Sequence, residues 1–194
     1  MDVLAAITLR RSTGRLVPPG PNPEQLSTIL DAAACAPDHG TLRPWRFVVL
    51  EGDAKDEFGA VLAAAYREQC TTEGVEPVPA KSDKERTKLG RAPTVVLVAV
   101  EPQPGTIPTI EQVSAVAAAT QNMLLAATAL GIGSMWRTGD TAYHPRVREA
   151  VGLSESALVL GFVYLGTAPE GALEQERPTR TAAGTILTPG ARLR

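Results

Sequence analysis

Three short segments of the chain gather the residue types that do chemistry. Arg10-Arg11-Ser12, with Arg15 close behind, stands where an N-terminal helix should end. Two forked guanidiniums and a short hydroxyl can hold a phosphate dianion. The alternative is that these cations only complement the negative end of a helix dipole. The second segment, APDHGTLRPW from Ala36 to Trp45, packs two prolines, a glycine, His39, Arg43 and Trp45 into one connection. Such a loop is stiff, so its polar groups are held in place, which suits orienting a flat ligand. Cys35, just before it, lies about 180° around the helix from Leu26, beside Thr28 and Asp31. It therefore faces water, a partner or a ligand; surface or interface roles without chemistry are the alternative for Cys35 and His39. The third segment is Trp136-Arg137-Thr138-Gly139, between a strand-like run and a helix. Its arginine can reach a phosphate, or can simply cap and pair beside a packed tryptophan.

Several other chemistries are excluded. Gly131-Ile132-Gly133 follows a helix, whereas a dinucleotide fingerprint must follow a strand and open a helix. No serine sits in a GxSxG elbow. Cys35, Cys70, His39 and His144 have no metal-ligand spacing, so no metal site is expected. A formal net charge of −2 argues against nucleic acid and anionic membrane as partners. The N-terminus places its arginines after the apolar stretch, the reverse of a signal peptide, and the two thiols suit a reducing compartment. The run from Val113 to Leu130 approaches membrane length, but Ser114, Thr120, Gln121, Asn122 and Thr128 interrupt it. The cytoplasm is the expected location.

The elements that must position these segments follow from periodicity. Residues 2–11 read as a helix with Val3, Leu4, Ala6 and Ile7 inward. A second helix opens with Asn22 as cap, Pro23 in the first position and Gln25 completing a capping box. Its apolar stripe is Leu26, Ile29, Leu30, Ala33 and Ala34, and Pro37 stops it. Trp45 to Glu51 reads as a strand. Asp53 is expected to cap the next helix, which runs to about Cys70 with Phe58, Val61, Leu62, Ala65 and Tyr66 on one face. Residues 71–91 read as solvated loop plus a short surface helix, with a mobile cover as the alternative. TVVLVAVE (94–101) and ALVLGFVYLG (157–166) are buried strands. Between them come an Ala-rich helix from Ile110 to Leu130, a short strand at 132–136, and a short helix within 140–152. That Ala-rich helix is apolar nearly all round and needs cover on all sides; alanines 115, 117, 118, 119, 126 and 127 would let a second helix approach. The chain, 194 residues with 44% hydrophobic and 21% charged, reads as one α/β or α+β domain. Its tail, residues 167–194, needs something to lie against.

Taken together, the three segments resemble the nitroreductase family, especially its short members. The family's R-R-S matches Arg10-Arg11-Ser12, its Pro-Trp helix–loop–strand signature matches APDHGTLRPWRFVVL, and its W-R-[ST]-G matches Trp136 to Gly139. The likeness spans about residues 2–167. It implies an α+β fold of three-layer α/β/α type, with a mixed central sheet surrounded by helices. It also implies an intertwined homodimer with FMN at the interface, the tail lying on the partner subunit. By the same resemblance, Arg10, Arg11 and Ser12 hold the FMN phosphate and ribityl chain, and Cys35 and His39 border the cofactor. Trp136, Arg137 and Thr138 contribute from the far side. Arg15, Thr41 and Arg43 are a second tier of cofactor or substrate contacts. The helix end Ala126, Ala127, Thr128, Ala129, Leu130 and Gly131 would face the nicotinamide of NAD(P)H. No side chain is expected to be catalytic, because flavin N5 does the chemistry.

Two departures from the family pattern stand out. Many relatives carry an arginine at the position of Gly14, and larger relatives often have Asn-x-Gln-Pro-Trp where this chain has Thr41-Leu42-Arg43-Pro44-Trp45. The implied reaction passes two electrons from NAD(P)H to a small-molecule oxidant such as a nitroaromatic or quinone, in a ping-pong cycle. The alternatives are a non-catalytic FMN-sequestering protein, or another flavin reaction such as dehydrogenation, dehalogenation or flavin fragmentation.

Overall fold

A computed structural model describes residues 1–172. The expectation for the tail therefore lies largely outside the described residues. Six helices and four strands run in the order α1 (Val3–Leu9), α2 (Pro23–Ala34), β1 (Trp45–Glu51), α3 (Asp53–Glu73), α4 (Pro79–Thr87), β2 (Thr94–Val100), α5 (Thr109–Ala129), β3 (Gly133–Arg137), α6 (Pro145–Glu149) and β4 (Leu158–Gly166). The strands form one sheet in the order β1-β2-β4-β3. All three pairings are antiparallel. The parallel component of this sheet region is a single bridge, Ser12 to Ser134, on the outer edge of β3.

The central strand β2 explains the layering. Every one of its residues is buried, and alternate side chains point to opposite faces. Val95, Leu97 and Ala99 pack with Phe58 and Leu62 of α3, Leu89, and Val147 of α6. Val96, Val98 and Val100 pack with Ile29 of α2 and with Val116, Ala119 and Met123 of α5. Each of these side chains larger than alanine contributes about 1.5–3 kcal/mol on burial. Helices on both faces of an unbroken apolar strand give the three layers.

The expected start of α2 is observed in full. Asn22 Oδ1 accepts the Gln25 amide at 2.8 Å, and Gln25 Oε1 accepts the Asn22 amide at 3.0 Å. The start of α3 differs from expectation: Gly52, not Asp53, is the cap residue, with φ of 51°. The corner out of β1 needs a left-handed backbone, which glycine adopts without penalty. Asp53 instead joins Asp56 in the first turn, where both favour the helix dipole.

Two further differences concern apolar surfaces. In α1 only Ala6 is buried, whereas Val3, Leu4 and Ile7 are 63%, 70% and 46% exposed. The helix is only seven residues long and rests on α5, so its apolar stripe faces away from this chain's own core. In α5, Ala115, Ala119 and Ala127 are used within the chain, while Ala117, Ala118 and Ala126 are half-buried and Ser114 and Gln121 are exposed. No helix among the described residues is long and apolar enough to cross a membrane.

Candidate functional site

The segment after α1 lies along the open edge of the sheet. Beside the Ser12–Ser134 bridge, the Thr13 amide donates to Ser134 O at 3.0 Å. Farther on, the Leu16 amide donates to Arg91 O at 2.8 Å, and Val17 pairs with Thr167. This strap carries Arg10, Arg11 and Ser12 to the strand that ends in Trp136-Arg137. Backbone hydrogen bonds close a sequence distance of more than a hundred residues, with Leu16 packed into the core.

Arg11 does two things. Its Nη1 donates to the carbonyls of Thr8, Leu9 and Arg10 at 2.9, 3.1 and 3.3 Å. That is the helix-capping role weighed above, and it fixes the plane of the guanidinium. Its Nε, however, is buried without a hydrogen-bond partner, and so is Ser134 Oγ. Both residues line a cavity of about 270 Å³ with Leu9, Thr128 and the Gly131–Gly133 turn. Buried polar atoms without partners are uncommon and costly, so two of them at one cavity mark a place where a polar ligand belongs. Alongside, Arg10 Nη1 donates to Ser12 Oγ at 3.2 Å, presenting the pair together.

The third segment is held from beneath. Trp136 Nε1 donates to Leu160 O at 3.1 Å. Arg137 Nη1 donates to Gly14 O at 3.4 Å, and its guanidinium carbon stands 5.8 Å from the centre of the Tyr164 ring. Thr138 is exposed. Burial pushes the Tyr164 hydroxyl up to about 12, against the opposing pull of Arg137 and Arg91, and the hydroxyl donates to Lys88 O at 3.1 Å. Gly161 makes this arrangement possible. With φ of 128°, a Cβ there would stand 2.3 Å from Arg137 O, 3.0 Å from Trp136 Nε1 and 3.1 Å from Thr138 Cγ2. The sequence reading passed over it; the available signal was a glycine inside a strand pattern.

Of residues 126–131, Thr128 and Gly131 line the same cavity. Ala127 is buried, Ala126 and Thr128 are half-buried, and Ala129, Leu130 and Gly131 are exposed. Gly131, with φ of 74°, ends α5, and the Ile132 amide returns to Ala127 O at 2.8 Å. The chain then enters β3 directly beside Arg11.

The Pro-rich loop lies elsewhere. Cys35 is the exposed C-cap of α2. His39 Nδ1 pairs with Glu111 Oε2 at 2.6 Å, both side chains being solvent-accessible. The Arg43 amide donates to Asp38 Oδ2 at 2.6 Å. Thr41 and Arg43 have φ of 54° and 49°, conformations uncommon for residues with a side chain; the loop is held tightly enough to impose them. Arg43 and Thr41 are exposed. Because His39 sits at Glu111 and Arg11 at Thr128, the two groups are about 25 Å apart along α5 at 1.5 Å per residue. Within one chain the structure thus assembles Arg10, Arg11, Ser12, Trp136, Arg137, Thr138 and the end of α5. Cys35, His39, Thr41 and Arg43 form a second, separate group.

Comparison with known proteins agrees with this geometry. Residues 7–167 match the Nitroreductase family. The "Putative NAD(P)H nitroreductase YdjA" of Escherichia coli K12 is 38% identical over 168 residues, covering 86% of this chain and 88% of the relative. A Haemophilus influenzae protein named as an NAD(P)H nitroreductase in the same manner is 36% identical over 174 residues, covering 89% and 91%. Among solved structures, a nitroreductase with bound FMN from Bacteroides fragilis superposes with a TM-score of 0.75 at 29% identity, covering 97% of this chain and 100% of that one. With the strap, the Trp-Arg strand end and the Pro-Trp loop in family order, the chain belongs to the nitroreductase family.

Proposed function

We propose that the protein is an FMN-dependent oxidoreductase that works as a homodimer in the cytoplasm and passes two electrons from NAD(P)H to a small-molecule oxidant, a nitroaromatic or quinone. The observation that carries this reading is the pair of buried, unpartnered polar atoms, Arg11 Nε and Ser134 Oγ, in two residues that line one cavity, with Ser12 bridged to Ser134 and Arg10 hydrogen-bonded to Ser12. These residues fit the group: forked cationic donors for a phosphate, a hydroxyl, and apolar walls for a flat ring. FMN held there would supply the redox chemistry, carrying two electrons from NAD(P)H to the oxidant in ping-pong order.

The chain's own residues bind and orient. Arg10 and Ser12, already joined by a hydrogen bond, hold the phosphate and ribityl end with Arg11. Arg137, with Trp136 and Thr138, places a positive charge at the flavin's pyrimidine edge or phosphate, which favours an anionic reduced ring. The end of α5, residues 126–131, offers small side chains where the nicotinamide stacks. Cys35, His39, Thr41 and Arg43 reach the cofactor from a second copy of the chain. Support for this division is the separation of about 25 Å along α5, longer than an extended FMN. Exposed Val3, Leu4 and Ile7 and the uncovered side of α5 supply apolar surface for that second copy.

The test of function is anaerobic addition of NAD(P)H to the flavin-loaded protein, followed by a nitroaromatic or quinone. Bleaching of the flavin and recovery of its colour with the oxidant are expected. A flavin that stays oxidised in excess NAD(P)H would identify a sequestering protein instead.

A further inference from the structure

Farther along the strap, sharing no lining residue with the Arg11 cavity, lies an open hollow of about 410 Å³ lined by Gly14, Arg15, Thr87, Gly90 and Arg91. We propose that this hollow binds a phosphate-class anion, at a place distinct from the phosphate position of the flavin. Arg15 and Arg91 belong to segments clasped by the hydrogen bond from Leu16 N to Arg91 O. Neither side chain has a hydrogen bond or a carboxylate partner among the described residues. No acidic residue lines the hollow, although the chain as a whole carries a net charge of −2. Two unpaired guanidiniums at one hollow raise each other's energy, and a dianion between them removes that cost with forked hydrogen bonds.

The backbone agrees with the side chains. The amides of Gly14 and Arg15 have no hydrogen-bond partner among the described residues. A Cβ at Gly90 would meet nothing within 4 Å, and one at Gly14 only Met135 Sδ at 4.0 Å, so an anion can approach the chain closely. Thr87 spends its hydroxyl proton on Asp83 O, so the donors are the two arginines and the two amides. Arg137 adds a third positive charge from the neighbouring site through its contact with Gly14 O. The ligand chemistry is a phosphate monoester or inorganic phosphate. Its two natural sources are the 2′-phosphate of NADPH and free phosphate.

The experiment is a calorimetric titration of inorganic phosphate into the purified full chain in the presence of FMN, repeated with R15Q and R91Q. Saturable binding to the native protein, weakened about ten- to hundredfold in each variant with FMN content unchanged in R91Q, supports the site. A KM rise for NADPH but not NADH in R91Q then assigns the 2′-phosphate as the source; unaltered KM values with lost phosphate binding assign free phosphate. Absence of saturable phosphate binding, or equal binding by both variants, overturns the proposal. So does loss of FMN from the variants, which would make the pair a holder of the cofactor's own phosphate. Because phosphate is titrated directly, failure of the chain to bind any FMN would leave this result standing by itself.

Discussion

Ser12 and Ser134 meet in a parallel backbone bridge at the edge of the sheet, and the Ser134 hydroxyl behind it is buried without a partner. One contact thereby joins the arginine-bearing end of α1 to the strand that delivers Arg137. It also leaves an unsatisfied oxygen on Ser134, a residue that lines a cavity together with Arg11.

Arg137 has no carboxylate partner among the described residues, and its stacking on Tyr164 is a weak anchor. Arg137→Ala and Arg10→Ala should each weaken FMN binding about ten- to hundredfold, the worth of one charge-assisted hydrogen bond. Quenching of FMN fluorescence on titration with protein measures this. An unchanged affinity in both variants would remove the two arginines from the site.

Gly161→Ala should cost about 1–3 kcal/mol of stability, because its Cβ would press on the Arg137 carbonyl in a backbone conformation that side chains avoid. Flavin retention should fall with it, since the strain enters through Arg137. Urea unfolding together with FMN content checks both effects, and a neutral result in both would mean that β4 yields without moving its neighbour.

Much of this fold could be read before any coordinates, because its signals are local. The capping box at Asn22, the six consecutive apolar residues of β2 and the arginine-bearing motifs each carry their meaning within a few positions. What escaped the sequence was long-range or one-sided. Gly161 matters only because Arg137 crosses over it, twenty-four residues earlier in the chain. Val3, Leu4 and Ile7 follow a correct helical period, yet periodicity says only that a face is buried, not by which chain. Gly52 displaced Asp53 as a cap because the corner's φ overrode the side chain's preference.

Those same exposed residues predict an assembly. Leu4→Glu, at a side chain 70% exposed in the single chain, should leave the monomer folded while shifting a dimer to monomer. Sedimentation velocity reads the shift, and bound FMN should fall in parallel under the proposal that Cys35 and His39 reach the cofactor from a second copy. A variant that remains dimeric and yellow would place the interface elsewhere.

Tyr164 sets an alkaline limit. Its ordinary value near ~10 is raised in the fold to about 12, chiefly by burial. Between these values the unfolded chain releases the proton while the folded chain keeps it, so the unfolded state binds fewer protons and stability falls as pH rises. The contribution is intact below pH ~10, and roughly 2–3 kcal/mol is lost on passing through about 12. Tyr164→Phe should flatten that part of the stability–pH curve, at a cost of about 1 kcal/mol at neutral pH from the lost bond to Lys88 O. Urea unfolding across this range measures it, and an identical alkaline slope in the variant would show that another group is responsible.

The proposed role of Arg10, Arg11, Ser12 and Arg137 is to hold FMN. It is tested most directly by the visible spectrum of the purified protein after reconstitution with FMN and removal of excess, with the released cofactor identified by mass. A yellow protein carrying FMN in stoichiometric amount with the chain is the predicted result. A colourless protein that releases no flavin would contradict the account at its base.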